Sequence, residues 1–180
     1  MHRRRRRAGT LVAAPARGRA TDRALGIEAR EVLRTAPGIL VINNNAEPSG
    51  LDPQEVTGLL ESRIVYALFE GLVNYDPVDL HPIPGAAESW TTTADGLIWT
   101  FKLRPGLVWS DGSPLKASDF VFAFRRLLDP KTAARYAFIQ FVIKNAQAVN
   151  AGKMPPDAAG VRALDDGTLE ITLEAPAPFL

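Results

Sequence analysis

A chain of 180 residues with 46% apolar and 23% charged side chains has the composition of an ordinary globular protein, which excludes collagen-like, low-complexity and wholly disordered classes. The 21 basic and 20 acidic residues leave a net charge of +1, and the absence of Cys excludes a disulfide scaffold, a thiolate metal site and a cysteine nucleophile. The charge is unevenly spread: residues 1–34 carry ten Arg against three acids, or +7, while residues 35–180 carry eleven basic against seventeen acidic residues, or −6. Outside the leader, then, the chain has no clustered cations to neutralise phosphates.

The leader, residues 1–35, has the run Arg3 to Arg7 followed by Leu11-Val12-Ala13-Ala14, which Pro15 and Arg17 cut short. A secretory signal has a basic start but needs about 7–15 apolar residues after it, so the leader reads as a weak targeting segment or a solvated basic tail. No stretch approaches ~18 consecutive apolar residues, the length of a membrane-spanning helix. Ile39 to Ile42 reads as a buried strand running into Asn43-Asn44-Asn45, and Leu51-Asp52-Pro53 as a turn. Leu60, Ile64, Ala67 and Leu68 recur at helical spacing and predict a helix over 57–69 with Gly71 as its stop. Leu72 to Tyr75 is a short strand. Asp95-Gly96 is a turn signal, so 88–92 and 98–103 form a hairpin with Trp99, Phe101 and Leu103 on one face. A helix follows over 117–128, with Phe120, Phe124, Leu127 and Leu128 as its stripe and Asp129-Pro130 as its end. A second helix is expected over 136–151, burying Phe138, Phe141, Val142 and Val149. Asp165-Asp166-Gly167 turns a final hairpin in which Leu169, Ile171 and Leu173 face the core and Thr168, Glu170, Thr172 and Glu174 face water. The chain stops in the middle of a connection, at Ala175 to Leu180, and reads as the front part of a longer protein.

The segments AEPSGLDP (46–53), LFEGLVNYD (68–76), PGAAESW (84–90), WTFKLRPGLVWSDGSPLKASDF (99–120), LLDPKTAARYA (127–137) and GVRALDDGTLEITLEAPAPF (160–179) stand in order along the chain. Together they resemble the N-terminal third of the oligopeptide-binding proteins of ABC importers, solute-binding protein family 5. The resemblance implies an α/β, periplasmic-binding-protein-like (type II) bilobal fold. Of that fold only the start of lobe one, residues 36–70, and most of an extra mixed α+β domain, residues 71–180, would be present. It also implies a periplasmic receptor, not an enzyme, that holds oligopeptides by their main chain and works with the permease and ATPase subunits of an ABC transporter. Such a receptor is expected to be a monomer, to bind no nucleic acid and to need no cofactor or metal. An extended ligand adds as a strand, its side chains lying in roomy wet pockets, and closure of the two lobes follows from tighter binding to the closed form.

Carried over position by position, the resemblance places Thr57, Gly58 and Leu59 beside the bound peptide and turns the ring of Tyr136 toward it, whereas the residues alone equally allow Tyr136 to be an aromatic at a helix start that packs locally. Thr57 stands where Glu is found in the family, Arg135 where Pro is found, and Lys116 where a helix-capping Thr is usual; Ser118 or Asp119 would then cap and shift the helix start by a residue or two. An acid for the peptide's α-amino group is expected in the absent lobe. The same architecture could serve an oligosaccharide, an opine or a metal complex, and the Arg-rich leader offers a more distant nucleic-acid reading.

Other constellations have simpler explanations. Trp90, Trp99 and Trp109 could form a stacking platform, but Trp99 shares a face with Phe101 and Leu103 and reads as core. Asp111, Asp119, Asp165 and Asp166 could be offered as a glycosidase pair, yet SDGSP and DDG are turn chemistry. His2 and His81 are the only imidazoles and build neither a zinc site nor a triad. The phosphate-binding pattern GxxxxGK[ST] is absent.

Overall fold

The computed structural model of the chain describes residues 43–177. The leader over 1–35, the strand expected at 39–42 and the final Pro178-Phe179-Leu180 lie outside them. The elements below belong to one unit, Asn44–Leu180. In chain order they are α1 (Leu59–Leu68), β1 (Val73–Tyr75), β2 (Pro82–Pro84), β3 (Ala87–Thr92), β4 (Ile98–Leu103), α2 (Ala117–Leu128), α3 (Ala146–Asn150), β5 (Val161–Asp165) and β6 (Thr168–Thr172), with single 3-10 segments at 130–132, 137–142 and 156–158. Among the described residues no helix is long and apolar enough to cross a membrane.

Both predicted hairpins form, and they join. β4 pairs with β6 antiparallel, Phe101 opposite Leu169 and Trp99 opposite Ile171, giving the strand order β3-β4-β6-β5. Period-2 alternation in both strands puts Phe101, Leu103, Leu169 and Ile171 on one buried face. Val121 and Leu128 of α2, Val149 of α3, Ile143 and Leu173 pack into the same cluster. Trp99 lies half-buried against it and stacks on Phe101 at 6.5 Å, as the core reading expects. The four largest sealed side chains, Leu128, Ile143, Leu169 and Val149, each contribute about 1.5–3 kcal/mol by leaving water.

The second face of β6 is drier than its polar residues suggest. Thr168 and Glu170 are buried: Thr168 Oγ1 accepts from Lys102 Nζ at 2.7 Å and donates to Asp165 Oδ2 at 2.9 Å, and Arg162 Nε lies 2.7 Å from Glu170 Oε1. β6 is flanked on both sides, so the long side chains of its neighbours cover what alternation alone would leave wet.

Other expectations change. α1 begins at Leu59 and ends at Leu68, with Phe69 extended as its C-cap, so Gly71 does not stop it. Its apolar stripe is not sealed, and Leu68 is 61% exposed. The helix expected over 136–151 breaks in two. Ile143 is extended and bridges to Leu173, and Asn145 takes a left-handed conformation at φ 62°, which separates the 3-10 segment 137–142 from α3. Phe138 is consequently exposed, while Val149 is buried as expected. α2 keeps the predicted bounds without a shift at Lys116. The Asp119 carboxylate accepts from Lys116 N at 2.9 Å, half of a capping box, and the Lys116 ammonium turns to Asp166 at 2.8 Å. A two-stranded ribbon of β1 and β2 was not foreseen beyond its first strand.

Candidate functional site

The candidate residues sit on two short segments, one leading into α1 and one following α2. The first begins with a turn. Asp52 C=O accepts from Glu55 N at 3.1 Å and Val56 N at 3.2 Å, and Asp52 Oδ1 from Gln54 N at 3.0 Å. Thr57 follows, exposed. Gly58 is the N-cap of α1 in an extended conformation (φ −92°, ψ 157°), and its carbonyl accepts from both Ser62 N (3.0 Å) and Ser62 Oγ (2.8 Å). Leu59 opens the helix and is 80% exposed.

Glycine at 58 has a specific cause. A Cβ there would lie 2.1 Å from Glu61 Oε2, inside any permitted contact. Glu61 is only 7% exposed and cannot swing away freely, because its Oε1 accepts from Ser49 N at 2.9 Å and Ser49 Oγ at 2.8 Å. The Ser49 backbone N–H, then its hydroxyl, hold the Glu61 carboxyl below its ordinary value, and a negative charge in the first turn of a helix suits the helix dipole. The result is a backbone ledge with no side chain at 58. Beside it are the first-turn N–H groups that no α-helix can satisfy internally.

The second segment is anchored by buried Ala134 and Ala137, which leave Tyr136 between them 48% exposed. Tyr136 caps the 3-10 segment; its ring meets Phe138 edge-on at 6.0 Å and 77°, and its carbonyl accepts from Ile139 N at 3.1 Å. The Tyr136 ring therefore stands half-exposed, with Phe138, itself exposed, at its edge.

Both segments are secured to the end of α2. Arg126 forks Asp52, Nη1 to Oδ1 at 3.0 Å and Nη2 to Oδ2 at 2.6 Å, and Nη1 donates to Gln54 Oε1 at 2.8 Å. The Arg126 hydrogen bonds to Asp52 hold its carboxyl below its usual value. Thr132 Oγ1 donates to the Arg126 carbonyl at 2.6 Å. Sequence reasoning missed these supports. The Gly58-x-x-Glu61 spacing, a capping-box frame with Gly at the cap, was the available signal for Glu61, but pairs 74 residues apart leave none.

The remaining candidates resolve into turn chemistry. Asp111 Oδ1 accepts from Ser113 N (2.8 Å) and Oγ (2.7 Å), and Asp165 Oδ1 from Gly167 N (2.8 Å); both carboxyls are held below their ordinary values, the opposite of what a general acid needs. Trp109 Nε1 donates to Asp119 Oδ2 at 3.3 Å. Asp76, Asp79 and His81 bring one ligand atom each within 4.8 Å of one another, on an exposed turn where Val78 N and His81 N already donate to the two carboxylates. An apolar groove of about 590 Å³ lies between Pro53 of the turn before the ledge, Leu68 and Phe69 at α1's end, the 107–115 turn and Phe120 of α2.

The chain is similar to known binding proteins. The chain is 47% identical over 142 residues to the periplasmic oligopeptide-binding protein OppA of Salmonella typhimurium, covering 78% of this chain and 26% of that one. It is also 47% identical over 139 residues to the probable deoxycholate-binding periplasmic protein YgiS of Escherichia coli, covering 76% and 26%. Among solved structures, Haemophilus influenzae OppA in complex with RPPGFSPFR matches with a TM-score of 0.72 and 46% identity over 76% of this chain and 27% of that one. The chain thus spans about a quarter of the length of the relatives it matches, and in that part it has the expected type II binding-protein architecture. These relatives are named as binding proteins, not enzymes. Residues 81–180 match the middle region of the bacterial extracellular solute-binding proteins, family 5, and the chain belongs to that family.

Proposed function

We propose that this chain is the N-terminal part of a periplasmic receptor that captures oligopeptides through their main chain and passes them, as a monomer, to the permease and ATPase subunits of an ABC importer. In this reading residues 1–35 are a basic leader, either a targeting segment or a solvated tail, 36–70 open lobe one, and 71–180 form most of the extra domain of the class. This boundary near residue 70 falls inside the one compact unit Asn44–Leu180; what supports it is that Leu59, Tyr66 and Leu68 of α1 stay exposed while the sheet has its own sealed core.

The observation that carries the reading is the ledge at Thr57-Gly58-Leu59. A receptor for peptides of varied sequence can rely only on what they share, the alternating N–H and C=O groups, and an extended ligand pairs with extended backbone as an added strand. Gly58 is extended and carries no side chain to obstruct that approach; its carbonyl is taken by Ser62, so the ledge would meet the ligand through its N–H side, and Glu61 keeps it in shape from behind. Thr57 and Leu59 flank the ligand on the exposed side, and Tyr136 offers ring and hydroxyl to it from a second segment. Side chains of the peptide extend into water-filled space, where bridging waters adapt to each residue at little cost. Nothing in this mechanism requires covalent chemistry.

A second reading has a specific basis. Identity over this quarter is the same, 47%, to the oligopeptide-binding protein and to the probable deoxycholate-binding one, so an amphipathic steroid-like ligand is the alternative. Calorimetry on the complete receptor with a mixed pool of tri- to pentapeptides, and separately with deoxycholate, decides between them. Peptide heat with no deoxycholate heat is expected; the reverse overturns the peptide reading.

A further inference from the structure

We propose that Arg126 is a positioning residue that fixes the separation between the two ligand-facing segments, so that the Gly58 ledge and the Tyr136 ring are set by one side chain and its own carbonyl. The inference deepens the peptide-receptor reading above and rests on it. Arg126 contacts the turn before the ledge and the turn before Tyr136, and acts on Thr57–Leu59 and Tyr136 through them.

On one side, the guanidinium binds Asp52 bidentately and reaches Gln54 Oε1, while Gln54 Nε2 donates back to Ala123 O of α2 at 2.8 Å. Asp52 and Gln54 are thereby fixed to the last turns of α2 by four hydrogen bonds. Gln54 precedes Thr57 by three residues, so the ledge lies within ~11 Å of chain from a fixed point. On the other side, Thr132 Oγ1 donates to the Arg126 carbonyl, which also accepts from Asp129 N at 3.2 Å. Ala133 then turns the chain in a left-handed conformation (φ 51°, ψ 33°) toward Tyr136, four residues past Thr132 and within ~14 Å of chain.

The choice of Arg matters. A planar guanidinium offers parallel donors that match a carboxylate and leave a further N–H for the amide of Gln54, whereas an ammonium is a point charge that fixes no direction. A further tie of the α1 arm, Arg104 to Glu70 at 2.6 Å, is a single contact between exposed groups beyond the far end of the helix and does not bear on the separation.

The test uses the full chain and its lack of Cys. Spin labels on Arg63→Cys, one turn beyond Leu59, and Arg135→Cys, beside Tyr136, report the distance between the segments by pulsed electron resonance. One narrow distribution is expected in the parent. Arg126→Lys, which keeps the charge, and Thr132→Val, which keeps the guanidinium, should each broaden it by about twofold, and Arg126→Ala by more, as local tethers open without global unfolding. Arg104→Ala should leave the width unchanged. Parent-like widths in both Arg126→Lys and Thr132→Val overturn the proposal, whether or not Arg126→Ala folds. So does equal broadening by Arg104→Ala. Because no peptide enters this measurement, its failure is separate from that of the receptor reading. Broadening in a receptor that binds no peptide would sink the reading and leave the strut standing, while tight peptide binding with unchanged widths would do the opposite.

Discussion

Leu128, Ile143, Leu169 and Val149 are sealed inside the sheet–α2 body, whereas Leu59, Tyr66 and Leu68 of α1 stand mostly in water. The body is held by burial of apolar surface, a force with no direction and little dependence on pH or salt. The α1 arm is held by directed polar bonds: Ser49 to Glu61, Asp52 to Arg126, and Glu70 to Arg104. A recognition segment gains from this arrangement. Polar clamps define a geometry while leaving the backbone between them open, which a hydrophobic seal would have covered. The difference also means that the two regions should fail under different stresses, and that can be measured.

The largest effect is expected in the body. Leu169→Ala, opening a hole opposite Phe101, should cost about 2–5 kcal/mol and lower the melting temperature of the whole domain, read by calorimetry or denaturant titration. If the arm alone loosened, the division of forces would be wrong.

Acid should separate the regions next. Glu61 and Asp52 are held below their ordinary values of 4.5 and 3.8, so their contribution is complete above those values and is lost as the pH falls through the lower values they have in the folded chain. Protection of the Ser62 amide, which donates to Gly58 O, should therefore fall below about pH 4 after correction for intrinsic exchange, while the β4–β6 ladder stays protected. Simultaneous loss of both would contradict separate clamping.

Gly58→Ala should act on the arm with smaller consequences for stability. Its Cβ displaces the Glu61 carboxylate from Ser49, so the acid sensitivity of the Ser62 amide's protection should diminish, because the acid-labile bond is already broken. The smallest effect is expected at Arg104→Ala, or on raising salt, since an exposed single pair contributes within about 1 kcal/mol.

The legible parts of the fold are those where local pattern and final environment agree. Alternation in 98–103 and 168–172, with Asp95-Gly96 and Asp165-Asp166-Gly167 between strands, points to two hairpins, and the stripe from Phe120 to Leu128 points to α2 within its observed bounds. Pattern fails where a distant partner overrides it. Ile143 leaves a helical run to pair with Leu173, and Glu170 loses its water to Arg162. The same holds for the candidate site. Thr57, Gly58, Leu59 and Tyr136 could be placed through the family resemblance, but the reason Gly stands at 58 lies in the carboxylate of Glu61 behind it. What sets the two segments, Arg126 with Asp52 and Thr132, is a convergence that local sequence does not encode.

The account turns on recognition of amide groups, and backbone N-methylation removes those donors while keeping side chains and charge. Calorimetry on the complete receptor should compare tri-alanine with its counterpart N-methylated at the central and C-terminal amides. A loss of at least about tenfold in affinity, roughly 1.4 kcal/mol, is predicted on methylation. Equal affinities for the two would contradict binding through the peptide main chain.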